Sequence, residues 1–244
     1  MCVAMKYLKW ILISLTALVI LGYGGLRLVS SRTFQFFGGL THRVPMEEKR
    51  VALTFDDGPT QRVEPLLALL DQLDVKATFF LVGSEIEKSP QLAAAIVQAG
   101  HQVGSHSWSH RRMVLVTPGF VRDELSKTDA ALRAAGYTGD ISFRPPYGKK
   151  FLALPWVLRQ QGRRTITWDI EPESDEATAG SSQRIAQAVL NEARPGSIIL
   201  LHPMYSDKAL EALPVIVEGL RARGYEFMTV DELIASASAQ KSGE

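Results

Sequence analysis

Val51-Ala52-Leu53-Thr54-Phe55-Asp56-Asp57-Gly58-Pro59 is an apolar, β-favouring run that ends in two carboxylates and a turn. Short runs of this kind, bounded by Gly and Pro, are typical of buried strands. A helical pattern follows at residues 63–73, and the same pairing of a strand with a helix recurs along the chain. The run therefore predicts the first strand of a repeating strand–helix fold.

The remaining pattern extends this fold to residue 237. Further strands are predicted at residues 76–82, 101–105, 141–143, 164–167, 197–201 and 225–229. Seven strands, each followed by a helix, favour the α/β class with a parallel sheet covered by helices. A distorted (β/α)7-type barrel is the preferred closure, and an open doubly wound sheet is the alternative.

Composition narrows the functional classes. The chain has 244 residues, 46% of them hydrophobic, which suits one sizeable domain with its own core. Its 27 Lys and Arg against 26 Asp and Glu give a net charge of +1, without the basic excess of a nucleic-acid binder. Cys2 is the single cysteine, so an intrachain disulfide and a thiolate metal site are excluded.

The N-terminus resembles an export signal. Lys6 and Lys9 precede an apolar run over residues 10–26, and Arg27 and Arg32 follow it. Residues 1–32 are interpreted as an uncleaved membrane-anchor helix, with a cleaved signal or a buried helix as alternatives. A juxtamembrane linker at 33–49, the globular domain at 50–235 and a tail at 236–244 complete the division. We expect a single-pass protein of a bacterial inner membrane with its globular domain outside the cytoplasm.

Polar residues follow the ends of several predicted strands. Asp56 and Asp57 end the first strand, and the turn at Gly58-Pro59 must bend the chain if both carboxylates are to serve one site. One carboxylate would then bind a cation while the other acts as a base. The alternative is a turn or a helix cap, for which Asp-Gly-Pro is also suitable.

His106-Ser107-Trp108-Ser109-His110 carries the spacing of a metal site. If this segment is helical, both imidazoles lie on one face and can share a Zn²⁺ ion. The chain has only 5 histidines, and two of them stand at ligand spacing directly after a strand. This placement favours a metal site over a chance pair of surface histidines. Together with Asp57 it forms a two-His, one-Asp set with open coordination positions, as catalytic metal sites have.

Three other strand ends supply candidate groups. Arg144, in Arg144-Pro145-Pro146-Tyr147-Gly148, can hold a carboxylate, and the Tyr147 amide can bind an oxyanion. His202 follows a buried strand and projects from its end because Pro203 keeps it extended. Asp169 follows Trp168 and can orient a histidine or an arginine. A structural role remains the alternative for each.

Taken together, Thr54–Pro59, His106–His110, Arg144–Gly148 and Leu200–His202 resemble the motifs of the polysaccharide deacetylase family with the NodB homology domain, carbohydrate esterase family 4. The resemblance extends in order over about residues 51–233. It implies a distorted β/α barrel. It also implies a hydrolase that removes N-acetyl groups from peptidoglycan, an exopolysaccharide or chito-oligosaccharides and releases acetate.

The resemblance also implies a role for each motif residue. These roles are a catalytic base at Asp56, metal ligands at Asp57, His106 and His110, an oxyanion-binding amide at Tyr147, a holding residue at Arg144, a general acid at His202, an assisting acid at Asp169, and a sugar-binding groove at Pro145, Tyr147, Trp168 and Leu200. Two positions depart from the family pattern. Pro203 stands where many members have Asp, and Glu171 competes with Asp169.

The expected cofactor is Zn²⁺, with Co²⁺ or Ni²⁺ as substitutes. The expected partners are an N-acetylated glycan and, through the N-terminus, a membrane, and we expect a monomer that does not bind nucleic acid. Two rival functions remain. Two His and a carboxylate also describe non-haem Fe(II) oxygenases, and a membrane-held glycan-binding protein without catalysis could keep the same fold.

Overall fold

Short parallel strands alternate with helices in the computed structural model, which describes residues 7, 10, 15, 16 and 22–241. The strands are β1 (Leu40–Thr41), β2 (Arg50–Asp56), β3 (Thr78–Leu81), β4 (Gln102–Ser105), β5 (Thr165–Ile166), β6 (Ile198–Leu201) and β7 (Glu226–Phe227). The helices are α1 (Val63–Gln72), α2 (Gly83–Lys88), α3 (Pro90–Gln98), α4 (Pro118–Ala134), α5 (Ala153–Gln160), α6 (Glu176–Ala179), α7 (Ser182–Glu192), α8 (Asp207–Ala222) and α9 (Val230–Lys241). Two 3₁₀ turns lie at Pro146–Gly148 and Pro172–Ser174.

The strands pair in parallel, which confirms the predicted α/β class. The order is β4-β3-β2-β6, with β7 beside the start of β2 and β1 beside β5. Single bridges from Ser105 to Phe143, from Phe143 to Thr165 and from Ile170 to Ile199 link β4 through β5 to β6. Neighbouring strands therefore form a ring, the arrangement that a distorted barrel needs. The predicted strand at 141–143 contributes only the bridge at Phe143.

Side chains of β2 alternate between two environments, as strand geometry requires. Val51, Leu53 and Phe55 pack outward against a cluster that includes residues of α1, α3, α7 and α8. Ala52 faces the interior of the ring and belongs to a second cluster with Phe80, Ile166, Trp168, Ile198 and Leu200. Thr54 and Asp56, which alternate with the outward residues, are buried at the same inner face. The inner face thus becomes polar toward the end of β2.

The segments outside residues 50–235 include regular structure. β1 lies in the stretch predicted to be a linker, and its Leu40 and Thr41 pair with Thr165 and Ile166. The amide of Val44 donates to the carbonyl of Gly196 at 2.9 Å, so this stretch also reaches the start of β6. At the other end α9 continues to Lys241, with Ala237 9% exposed.

Most of the predicted anchor, residues 1–32, lies outside the described residues. Residues 22–29 are helical. In the described part of the chain, no helix combines the length and apolar character needed to cross a membrane.

Candidate active site

Asp56 and Asp57 present their carboxylates to one site because the backbone turns over between them. Asp56 ends β2 on its inner face and is 2% exposed. Asp57 has φ +69°, a left-handed conformation, and Gly58 has φ +70°. The Nε2 atom of His106 lies 3.7 Å from Asp56 Oδ2 and 3.6 Å from Asp57 Oδ1. The bend expected at this turn is therefore present, and it begins at Asp57.

Arg144 fixes one side of Asp56. Its guanidinium is fully buried, and its Nη1 donates to Asp56 Oδ1 at 2.7 Å and to Thr54 Oγ1 at 2.8 Å. Its Nη2 donates to the carbonyl of Thr167 at 3.1 Å, and Phe80 lies 4.1 Å beneath the guanidinium carbon. A buried ion pair with this many partners has a defined geometry. Oδ1 of Asp56 is thereby occupied, while Oδ2 faces His106.

Asp57, His106 and His110 bring three donor atoms within 4.8 Å of one another. Asp57 Oδ1 lies 3.0 Å from His110 Nε2, yet it is buried and has no hydrogen-bond partner in the described structure. A buried carboxylate oxygen normally has such a partner, so this one is suited to a cation. The donor set fits a divalent transition metal.

The tautomer of His106 supports this fit. Its Nδ1 lies 2.8 Å from the carbonyl oxygen of Arg144. A carbonyl only accepts, so Nδ1 carries the hydrogen and the Nε2 lone pair faces the carboxylates. Burial lowers the pKa of His106, against the raising effect of Asp56 and Asp57. The ring is therefore neutral, as a metal ligand must be.

The segment carrying both histidines is a loop, so the helical condition considered for the His-x-x-x-His spacing is not met, and the loop itself brings the two imidazoles together. Ser107 and His110 have φ +67° and +54°, which no helix accommodates. Glu124 of α4 holds the loop instead, because its Oε2 accepts from the amides of Trp108 and Ser109, each at 2.9 Å. Glu124 is 5% exposed. Sequence analysis missed it, although a Glu on the buried face of an amphipathic helix is an unusual signal.

His202 lies at the end of β6, where the sequence predicts it, and its orienting acid is Glu173. The Nδ1 of His202 is 3.1 Å from Glu173 Oε2, which also accepts from the His202 amide at 2.7 Å. Burial lowers the pKa of His202, but the hydrogen bond to Glu173 and the charges of Asp56, Glu173 and Asp57 outweigh it and raise the pKa to about 9. The ring is a cation at neutral pH.

Asp169 occupies a different place from the one implied for it. Its Oδ2 accepts from Ser197 Oγ and its Oδ1 from the Ile198 amide, both at 2.9 Å, and Arg194 lies 3.6 Å away. These contacts fix the start of β6, and neither His202 nor Arg144 is among them. Glu173, two residues beyond Glu171, was missed. The alternating acids at 169, 171 and 173 were the available signal.

Tyr147 stands at the mouth of the site. It is 55% exposed, has φ +58°, and its ring lies 4.7 Å from that of His110. Within the described part of the chain no acceptor takes the Tyr147 amide hydrogen, which leaves it free for an oxyanion. The three other predicted groove residues, Pro145, Trp168 and Leu200, are buried, and the last two belong to the inner cluster.

A family model described as polysaccharide deacetylase matches residues 43–166. The chain belongs to the polysaccharide deacetylase family. The matched region contains Asp56, Asp57, His106, His110 and Arg144, while Glu173 and His202 lie beyond it. The resemblance inferred from the four motifs is therefore confirmed.

Relatives in this family carry deacetylase names. The chain is 37% identical over 188 residues to the peptidoglycan-N-acetylglucosamine deacetylase PgdA of Listeria monocytogenes, covering 76% of this chain and 39% of that protein. The chain thus spans about two fifths of the length of that relative.

Solved structures share the fold. The peptidoglycan N-acetylglucosamine deacetylase Bc1960, bound to a hydroxamate-type benzamide, has a TM-score of 0.75 and 33% identity, covering 81% of this chain and 94% of that one. BA3943 of Bacillus anthracis, described as a pseudoenzyme of the same carbohydrate esterase family, has a TM-score of 0.74 and 28% identity, covering 82% and 70%.

Proposed function

We propose that the protein is a metal-dependent hydrolase that removes N-acetyl groups from GlcNAc-type glycans, with peptidoglycan as the first substrate to test. One observation carries the proposal. Asp56, which the buried Arg144 holds, lies next to His106, and His106 belongs to the donor set of two histidines and one aspartate. The names of the Listeria relative and of Bc1960 support the substrate class.

The residues divide the chemistry between them. A divalent cation, Zn²⁺ or its substitutes Co²⁺ and Ni²⁺, held by Asp57, His106 and His110 would supply a Lewis acid and lower the pKa of water. Asp56 Oδ2 takes the proton of the attacking water, because Arg144 occupies Oδ1. The Tyr147 amide donates to the developing oxyanion. His202, a cation at neutral pH, gives its proton to the leaving amine, so acetate and a free amino sugar result.

We also place the protein in the bacterial envelope as a monomer. The apolar run at residues 10–26, flanked by basic residues, supports a single-pass anchor with the α/β domain outside the cytoplasm. The ring of strands supports a distorted barrel as the closure of this domain.

Acetate release tests the activity. The full chain is offered chito-oligosaccharides, poly-N-acetylglucosamine and peptidoglycan, with chelator, and again after Zn²⁺ is restored. We expect release from at least one glycan, its loss with chelator and its return with metal. Release that survives complete metal removal would contradict the metal-dependent mechanism.

A second candidate is a glycan-binding protein without catalysis, which the similarity to the pseudoenzyme BA3943 supports. It predicts measurable binding of a glycan by the folded, metal-loaded chain and no acetate release from any of the three substrates.

A further inference from the structure

A pocket of about 600 Å³ adjoins the candidate active site. His110 and Tyr147 line the pocket as well as the catalytic centre, so the two spaces share a wall. Leu26, Val29 and Ser30, at the end of the helix at residues 22–29, also line it. A glycan bound beside His110 and Tyr147 would therefore lie at the edge of this pocket.

The pocket is strongly basic although the whole chain is nearly neutral. Arg111, Arg112 and Lys149 line it, and none of its lining residues is acidic. In the described structure none of these three cations forms an ion pair. Lys149 Nζ donates to Ser30 Oγ at 2.5 Å, a contact with a neutral hydroxyl that leaves the charge of Lys149 uncompensated. Three neighbouring cations without a counter-charge favour an anion between them.

Two of the cations are also held in place. The Arg112 guanidinium carbon lies 5.0 Å from the centre of the Tyr147 ring, and that of Arg111 lies 5.3 Å from the Phe120 ring. Stacking on an aromatic ring restricts a guanidinium while its N–H groups stay free to donate. Two guanidinium groups and an ammonium match the oxygens of a carboxylate or a phosphate.

We propose that this pocket, the Arg111–Lys149 pocket, binds an anionic oxyacid group carried by the glycan next to the acetylated sugar. The proposal rests on the proposed function and deepens it, since it selects anionic over neutral glycans. A carboxylate of a peptide substituent and a phosphate on the sugar share this chemistry.

The test compares three oligosaccharides of equal length: neutral chito-oligosaccharide, one carrying lactyl-peptide carboxylates and one carrying sugar 6-phosphates. For each variant the readout is the kcat/KM for an anionic oligosaccharide divided by that for the neutral one. This ratio cancels general damage to the catalytic groups. Arg111→Gln and Arg112→Gln are measured in the full, metal-loaded chain, with the exposed Arg122→Gln of α4 as the matched control.

We expect the ratio to fall about tenfold in Arg111→Gln and in Arg112→Gln, because each loses a charge-assisted contact, and to stay unchanged in Arg122→Gln. The substrate with the larger fall identifies carboxylate or phosphate as the source. An equal ratio in all variants would overturn the proposal. Binding to phosphatidylglycerol vesicles is measured for the same variants. If the ratio is unchanged while Arg111→Gln and Arg112→Gln lose vesicle binding, the cluster is a membrane-binding surface and the proposal is overturned.

Equilibrium binding to the same oligosaccharides, measured by calorimetry, separates this proposal from the proposed function. Tighter binding of an anionic oligosaccharide that is lost in Arg112→Gln, without acetate release by the wild type, would uphold the pocket and reject the hydrolase. Release from the neutral oligosaccharide without any anionic preference would uphold the hydrolase and reject the pocket.

Discussion

Adjacent carboxylates repel each other, and at Asp56 and Asp57 the structure separates their charges through different partners. Asp56 is paired with Arg144, which is fully enclosed, whereas Asp57 faces two histidines. Burial raises the pKa of Asp57, but the contacts with His110 and His106 outweigh this effect. The pKa of Asp57 therefore lies below its ordinary value, and the carboxylate is ionised at neutral pH. These different partners agree with the proposed division, in which Asp56 accepts the proton and Asp57 binds the cation.

Asp56→Asn is expected to lower kcat at least about a hundredfold, because an amide cannot accept the proton of the attacking water. It also leaves the Arg144 charge buried without its counter-ion, which is expected to destabilise the fold by about 3–5 kcal/mol. Activity, metal content and a thermal melt are measured together. A folded, metal-loaded variant that keeps wild-type activity would show that Asp56 is not the base.

Glu173→Gln is expected to shift the alkaline limb of the kcat–pH profile to lower pH. Glu173 raises the pKa of His202, and His202 must be protonated to act as an acid, so activity falls as pH rises through about 9 in the wild type. Without the Glu173 charge this fall begins earlier. Glu176→Gln, an exposed change on α6, serves as the control. If the wild type, Glu173→Gln and Glu176→Gln have the same alkaline limb, Glu173 does not set the pKa of His202.

At the scale of elements, the site is assembled by loops that follow strand ends and that other elements hold in place. The loop at His106–His110 needs two left-handed residues to aim both imidazoles, and it is stabilised from outside by α4. Glu124 satisfies two backbone amides of that loop and the Ser109 hydroxyl. The geometry of the candidate metal site therefore depends on α4, which supplies none of its three donor residues.

Glu124→Ala is expected to weaken metal affinity about tenfold or more, because unsupported ligands lose their preset orientation. Glu124→Gln, which keeps one accepting oxygen, should recover part of the loss. Asp123→Ala, next to it on the exposed face of α4, is the matched control. Affinity is measured by competition with a chromophoric chelator. Equal affinity in Glu124→Ala and Asp123→Ala would show that the loop holds its shape alone.

Sequence predicts those parts of the site that follow from chain order. Strand ends of a parallel sheet meet at one edge, so Asp56, His106, Arg144 and His202 could be placed together before the structure was known. Glu124 and Glu173 could not, since their roles depend on tertiary hydrogen bonds to distant segments. β1 escaped prediction because its pairing with β5 is set by the ring, and two residues carry no periodicity.

At the scale of the whole molecule, stability depends on a buried histidine, His101, which lies immediately before β4, at the other end of this strand from His106. His101 is 4% exposed, and its Nδ1 accepts from the Ala77 amide at 3.1 Å. Burial, with a smaller effect from Lys76, lowers the pKa of His101 to about 4. A protonated ring cannot accept this hydrogen bond, so the folded state resists protonation.

The free energy of unfolding should consequently fall on acidification. The unfolded chain takes up the His101 proton near pH 6.5 and the folded chain only near pH 4, so stability is full above this window and decreases through it by up to about 3 kcal/mol. Urea titrations at several pH values measure this. His101→Asn keeps an acceptor and should flatten the dependence, while His42→Asn should not. Parallel pH curves for all three proteins would contradict the assignment.

The pairing of β1 also sets the order in which the molecule can be completed. Translation produces Leu40 and Thr41 long before Thr165 and Ile166, and the partner of Arg43, Ser197, comes later still. The first strand of the described residues therefore remains unpaired until about two thirds of the chain has been made. A nascent chain that stops short of β6 already holds both carboxylates and both histidines of the candidate metal site, but it has neither a closed ring nor His202.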